Sequence, residues 1–273
     1  MRRPPDGPRP GGDAVSLARA LSKLGACSRR DAERYAAEGR VTVNGRVARD
    51  PALRVDPRRD RLSLDGVAVR PAAPRYLALH KPRGVVTSRV RERGAPTVYD
   101  LLPSGLAGHH LAAVGRLDKA SEGLLLLTND TRWAARVLDP AAHVPKRYHV
   151  QVRPAPDAAL LDAVRRGVSG GPEAPGEWLA AAEAQILRTA SRTGWVELVL
   201  HEGRNRHIRR MLAALGVEVE RLIRVAIGGL ALGDLPPGAV RPLTPADRAL
   251  VASPGAASAA RADSPAGPSP AAE

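Results

Sequence analysis

At 273 residues the chain is long enough to bury a substantial core, and its length fits one large domain plus a small one. Its 42 Lys and Arg against 28 Asp and Glu leave a formal charge of +14, which opposes self-association and favours polyanions, nucleic acid first among them. The one cysteine, Cys27, excludes an internal disulfide and a cysteine-rich zinc site. No apolar run approaches the roughly 18 residues of a membrane span, and no signal-peptide core follows the basic start, so a soluble, cytoplasmic protein is expected.

Residues 1–13 are Pro, Gly and Arg with almost no apolar side chains, the composition of a disordered basic tail. Leu17, Leu21 and Leu24 then recur at i, i+4 and i+7, which predicts an amphipathic helix stopped by Gly25. Ser28 and Asp31 form a capping-box variant that opens a second helix ending near Gly39. Val41 to Val47 reads as a hairpin around Asn44-Gly45, and Leu62 to Val69 repeats the pattern around Asp65-Gly66.

Arg19, Lys23, Arg29, Arg30, Arg34 and Arg40 crowd this short stretch. Each alone fits a solvated face; together they suggest a small RNA-binding module, with Arg29 and Arg30 in a helical first turn whose amides also suit a phosphate. Cys27-Ser28-Arg29-Arg30-Asp31-Ala32-Glu33 and Glu38-Gly39-Arg40-Val41-Thr42-Val43-Asn44-Gly45 resemble the S4 RNA-binding domain, over residues 14–72. Arg29, Arg30 and Arg40 are its candidate RNA contacts. Arg49-Asp50-Pro51 departs from the pattern, where a Gly-like turn is expected.

Pro71 and Pro74 bracket a linker at 73–75. Tyr76 to Val86 follows around His80-Lys81-Pro82-Arg83-Gly84, with Pro82 and Gly84 as turn residues and Lys81 as a candidate RNA contact. Next comes Gly115-Arg116-Leu117-Asp118-Lys119-Ala120-Ser121-Glu122-Gly123, running into Leu124 to Leu127 and Thr128-Asn129-Asp130. The four leucines predict a strand buried on both faces, and an acid at the edge of such a strand is held with little freedom. By spacing alone, Arg116 and Asp118 also fit a surface ion pair. The whole string resembles the signature of RNA pseudouridine synthases, and among them the RsuA-like family that modifies ribosomal RNA. The resemblance implies that Asp118 is catalytic and that Arg116 inserts where a flipped base has left the stack.

In Lys146-Arg147-Tyr148-His149-Val150-Gln151-Val152, alternation puts Tyr148, Val150 and Val152 on one strand face. Core packing would explain Tyr148; the resemblance implies that it stacks on the uracil and assists proton transfer. His201-Glu202-Gly203-Arg204-Asn205-Arg206-His207-Ile208-Arg209-Arg210-Met211 resembles the family's late Gly-Arg-x-x-x-(Ile/Val)-Arg-Arg-Met motif and opens a helix through Leu212 and Leu215. That match implies that Arg209 points inward to pair with Asp118, leaving Arg204 and Arg206 outward for phosphate. His207 stands where the family carries other polar residues; it reads as a surface or capping histidine with no catalytic role.

Glu220 to Leu230 and Pro236 to Thr244 resemble the family's closing strands, and Arg221-Leu222-Ile223-Arg224 leans toward members acting on large-subunit RNA. Residues 249–273 read as an Ala/Pro/Ser tail. The resemblance covers residues 14–248 and implies an α+β protein: a small S4-type αα-hairpin/β domain, then a synthase domain at 76–248 with a mostly antiparallel mixed sheet flanked by helices. Uridine isomerisation adds and removes no atoms, so no metal, nucleotide or redox cofactor is expected. The implied partner of this positive-charge surplus is ribosomal RNA, naked or in an assembly intermediate, met by a monomer. Two alternatives stay open: a ribosome-associated RNA-binding protein without catalysis, and a glycosidase-like enzyme that releases the base.

Overall fold

A computed structural model describes residues 14–91, 94–106, 110–171 and 176–252. The tail expected at 1–13 lies outside the described residues, as does the C-terminal one from 253 onward.

The N-terminal part forms where its caps and turns direct. β1 (Val15–Ser16) runs into α1 (Leu17–Lys23), which buries Leu17 and Leu21. α2 (Arg29–Ala37) starts at Ser28, whose Oγ accepts the Asp31 amide at 3.0 Å and donates to the Asp31 carboxylate at 2.6 Å. That is the capping box read from the sequence, with Asp serving for Glu. β2 (Val41–Val43) and β3 (Arg46–Val47) turn through Asn44 and Gly45, both at positive φ, as type I′ geometry requires. β4 (Arg54–Val55) pairs with β1, while β5 (Leu62–Leu64) and β6 (Val67–Ala68) complete a sheet ordered β3-β2-β5-β6. Leu17, Leu21, Ala32, Ala36, Val41 and Leu62 close one core between helices and strands. In the departing Arg49-Asp50-Pro51 turn, Arg49 donates to the Ala37 carbonyl at 2.9 Å and so ties the loop to the end of α2.

The second part is built on a larger sheet. Its elements are β7 (Tyr76–Lys81), β8 (Ala112–Val114), β9 (Glu122–Thr128), α3 (Thr131–Leu138), β10 (Lys146–Arg153) and α4 (Ala158–Arg166). They continue through the short β11 (Val168–Ser169) and β12 (Trp178–Leu179) to β13 (Glu183–Thr189), β14 (Gly194–Leu200) and α5 (His207–Ala214). β15 (Glu218–Ile227), β16 (Leu230–Ala231), β17 (Val240–Pro242) and α6 (Pro245–Ala252) finish the chain's described part. Strand order is β13-β14-β10-β15-β9-β7-β17, antiparallel except where β15 meets β9. The mixed, mostly antiparallel sheet flanked by helices is the α+β architecture expected.

Leu124 to Leu127 alternate between two cores. Leu125 and Leu127 join Val150, Leu198, Leu222 and Met211 under α4 and α5; Leu124 and Leu126 join Trp133, Val137 and Ile227 under α3 and α6. A continuous apolar run was the right signal for a strand covered on both sides. Residues 249–252, expected in the tail, belong instead to α6, because Val251 is fully buried in the second of these cores.

The two parts are tied together by the linker. The Ala72 amide donates to the Leu24 carbonyl at 3.2 Å, and Asn129 bonds the Ala73 carbonyl at 3.0 Å and the Arg75 amide at 2.7 Å. Among the described residues no helix is long and apolar enough to cross a membrane.

Candidate active site

Asp118 sits in the loop between β8 and β9, just before the buried strand, and its side chain is one-third exposed. The main chain of this loop is held at four successive points. Thr87 Oγ1 donates to the Leu117 carbonyl at 2.8 Å and the Gly84 amide to the Lys119 carbonyl at 2.8 Å. Arg209 Nη2 donates to the Ala120 carbonyl at 3.2 Å, and Lys81 Nζ to the Ser121 carbonyl at 2.7 Å. A carboxylate on a loop so tethered is aimed before any substrate arrives.

Immediately after the loop, Gly123 lies opposite Arg224 in the parallel β9–β15 pair, at φ +106°. A Cβ there would approach the Arg224 amide nitrogen to 2.6 Å. Only glycine lets the two strands meet at this point.

The loop opens on a cavity of about 260 Å³ lined by Arg116, Asp118, Tyr148, Arg206, His207 and Leu222, among others. Five of the expected residues therefore come together from distant parts of the chain: Arg116, Asp118, Tyr148, Arg204 and Arg206. Arg209 also lines the cavity, although its guanidinium is used differently from the expectation.

The sequence pattern pointed to an Arg209–Asp118 pair. The cation within ion-pair distance is Arg206, whose Nη1 stands 3.8 Å from Asp118 Oδ2. Arg209 donates instead to the Ala120 carbonyl and, at 3.2 Å, to the Val219 carbonyl. The reason lies at the start of α5: Arg206 adopts φ +47° at the cap position, which turns its side chain back over the cavity. Burial, and then the neighbouring Arg206, lower the Arg209 pKa from its ordinary value, while the Asp118 carboxylate opposes that shift. Arg209 thus feels the acid without touching it.

Three candidate RNA contacts are likewise bonded to other groups of the protein. Lys81 is fully buried, donating to the Ser121 and Pro82 carbonyls, so it tethers the loop and cannot meet RNA directly. Burial pushes its ammonium down to about 8, against Asp118 and Glu122, which favour the charge. Arg204 donates to the Trp178 carbonyl at 2.7 Å and pairs with Glu202 at 2.9 Å. Arg40 binds both carboxylate oxygens of Asp65 and stacks 4.2 Å from the Tyr35 ring centroid. Arg29 and Arg30 are exposed on the first turn of α2.

Tyr148 lies at the cavity with its ring joined to the core, 8% exposed. His207, expected at the surface, is buried at 3% exposure as the first residue of α5. Burial lowers its pKa, with Glu202 opposing, and this favours a neutral ring. Thr87 was not singled out from the sequence: it comes from a loop 30 residues before the segment it holds, and a lone threonine carries no pattern.

Comparison with known proteins agrees with this geometry. The RNA pseudouridylate synthase family profile matches residues 75–214, and the S4 domain profile matches residues 15–60. The chain is 41% identical over 237 residues to an uncharacterized RNA pseudouridine synthase of Mycobacterium leprae (strain TN), covering 85% of this chain and 90% of that one. It is 36% identical over 231 residues to the ribosomal large subunit pseudouridine synthase B of Bacillus subtilis (strain 168), covering 84% and 92%. A crystal structure of a pseudouridylate synthase aligns with TM-score 0.61 at 27% identity, over 87% of this chain and 99% of that chain. The carboxylate on its tethered loop, the aromatic ring beside it and the S4 domain ahead of them have a common explanation: the chain belongs to the RNA pseudouridine synthases, isomerases of RNA.

Proposed function

We propose that the protein converts one or more uridines of large-subunit ribosomal RNA to pseudouridine, with Asp118 as the catalytic carboxylate. The observation that carries the reading is the Asp118 loop, held at four carbonyls and facing a cavity with Arg206 and Tyr148. The choice of large-subunit RNA draws support from the name of the Bacillus subtilis relative.

In the proposed reaction the C1′–N1 bond of uridine breaks, the uracil turns, and C1′ joins C5. The C5 proton leaves and N1 gains one, so atoms and electrons balance within the nucleotide and solvent. A base inside a stem cannot reach the cavity, and extruding it costs a few kcal/mol. Arg116, at the cavity rim, is suited to fill the vacated stack because its planar head both stacks and donates several hydrogen bonds. Tyr148 offers its ring to the uracil. Asp118 offers its carboxylate to the sugar or base, with the Arg206 guanidinium 3.8 Å away. The S4 domain adds phosphate contacts through Arg29 and Arg30, which govern affinity and register.

Ribosomal RNA as substrate implies a cytoplasmic protein, and the charge of +14 supports a monomer. The test maps pseudouridines in ribosomal RNA from cells with and without this gene, then complements with Asp118→Asn. The expected result is a missing large-subunit pseudouridine that wild type restores and the variant does not. Restoration by Asp118→Asn would remove the catalytic assignment, and free uracil in place of retained base would select hydrolysis.

A further inference from the structure

A second basic surface lies far from Asp118. Where the S4 domain meets the synthase domain, Arg19, Ser22 and Lys23 of α1 and Arg29 of α2 face Thr131 and Arg132 of α3 across a cleft of about 340 Å³. Arg19, Arg29 and Arg132, contributed by both domains, line it with no carboxylate beside them in that lining.

Asp56 and Asp130 line the adjoining cavity with Lys23 and Arg132, and these acids and Asp31 each have other partners. Asp130 caps α3, accepting the Arg132 and Trp133 amides at 2.9 and 3.0 Å, and takes the Tyr76 hydroxyl at 2.8 Å. Asp31 holds Ser28 and Arg34, and Asp56 pairs with Arg59 at 3.6 Å. Cations gathered in one cleft repel one another, and an anion entering between them relieves that repulsion. The two domains are joined beside the cleft, where the Ala72–Leu24 hydrogen bond and the Asn129 clamp fix the linker.

Its position gives it a meaning. Asp118 precedes the first residue of β9, and α3 begins just after the last, so the cleft and the carboxylate stand at opposite ends of the strand. Seven residues of strand span roughly 20 Å. An RNA that fills both sites must span about that distance.

We propose that this interdomain cleft binds the backbone phosphates of the same RNA whose uridine enters the cavity, with Arg132 of the synthase domain as one of its phosphate contacts. The proposal rests on the reading of the protein as an RNA-modifying enzyme. It makes the junction a recognition site in its own right, so the S4 domain does not bind alone. The distance between a flanking phosphate and the target uridine then becomes a criterion for substrate choice.

The test measures binding of full-length protein to fluorescently end-labelled, deproteinised large-subunit ribosomal RNA, across a salt series. All variants are made in an Asp118→Asn background, so the readout does not depend on turnover. Arg132→Ala should weaken binding several-fold and reduce the slope of log affinity against log salt by about 1. Arg132→Glu should weaken it at least tenfold, and Arg132→Lys should retain most of the affinity. Arg136→Glu makes the same charge change on an exposed position of the same helix, outside the cleft, and should have little effect. Unchanged affinity and slope in Arg132→Glu would overturn the proposal. Equal losses in Arg132→Glu and Arg136→Glu would overturn it too, by reducing the effect to bulk charge. Turnover by Asp118→Asn in the cellular assay would instead sink the catalytic reading and leave this binding result standing.

Discussion

Arg206 stands 3.8 Å from the Asp118 carboxylate and comes from a loop that closes on it from 88 positions further along the chain. The pair is half exposed, so water screens it. Arg209, one helical turn later, reaches under the same loop to its main chain. The two arginines therefore divide the work: one faces the carboxyl group, the other fixes the backbone that carries it.

Their variants should separate accordingly. Arg206→Ala is expected to change stability by less than about 1 kcal/mol and to slow single-turnover isomerisation about tenfold. Arg209→Ala removes two hydrogen bonds from a charged donor, each worth about 1.5–3 kcal/mol, and should lower the Tm by several degrees. Because it frees the loop, its single-turnover rate should fall on the order of a hundredfold. Single-turnover kinetics beside thermal melts check both; equal rates in the two variants would contradict the division.

Gly123→Ala is expected to be severe. The residue would carry a Cβ at φ +106° and press it on the Arg224 main chain, in the one parallel contact of the sheet. Destabilisation of at least about 3 kcal/mol should follow, read as a lower midpoint in urea. Gly45→Ala meets no atom within 4 Å, has φ +81°, and should lose only the smaller amount due to its backbone conformation.

His110 links stability to pH. Burial, reinforced by Arg89, pushes its pKa down from 6.5 to about 4, while Asp31 of the S4 domain opposes the shift. Between those values the unfolded chain binds more protons than the folded one, so the contribution is fully present above pH 6.5 and is lost as pH falls toward 4. At most about 3 kcal/mol is at stake. Wild type should therefore lose Tm over this range more steeply than His110→Asn. Parallel curves for the two proteins would refute the assignment.

Local signals carried the fold a long way. Ser28 and Asp31 named the start of α2, Asn44-Gly45 and Asp65-Gly66 named their turns, and four leucines named β9. Each works through neighbours a few residues apart, where the chain's own geometry limits the choices. The same locality explains why Tyr148 could be assigned to an inward strand face; Asp118 was singled out by the resemblance of its whole motif. The internal partners of Lys81, Arg204 and Arg40 were not legible, because their donors go to the Ser121 carbonyl, the Trp178 carbonyl and the Asp65 carboxylate, 40, 26 and 25 positions away.

From the order of residues alone came the two folded units and their arrangement along the chain, since caps, turns and strand periods act at short range. Which guanidinium faces Asp118, which arginines are taken up by partners inside the protein, and that α1 and α3 share a basic cleft were decided by three-dimensional packing. Those outcomes depend on the direction in which long side chains leave their backbones once loops far apart in the chain have met, and no local pattern encodes that direction.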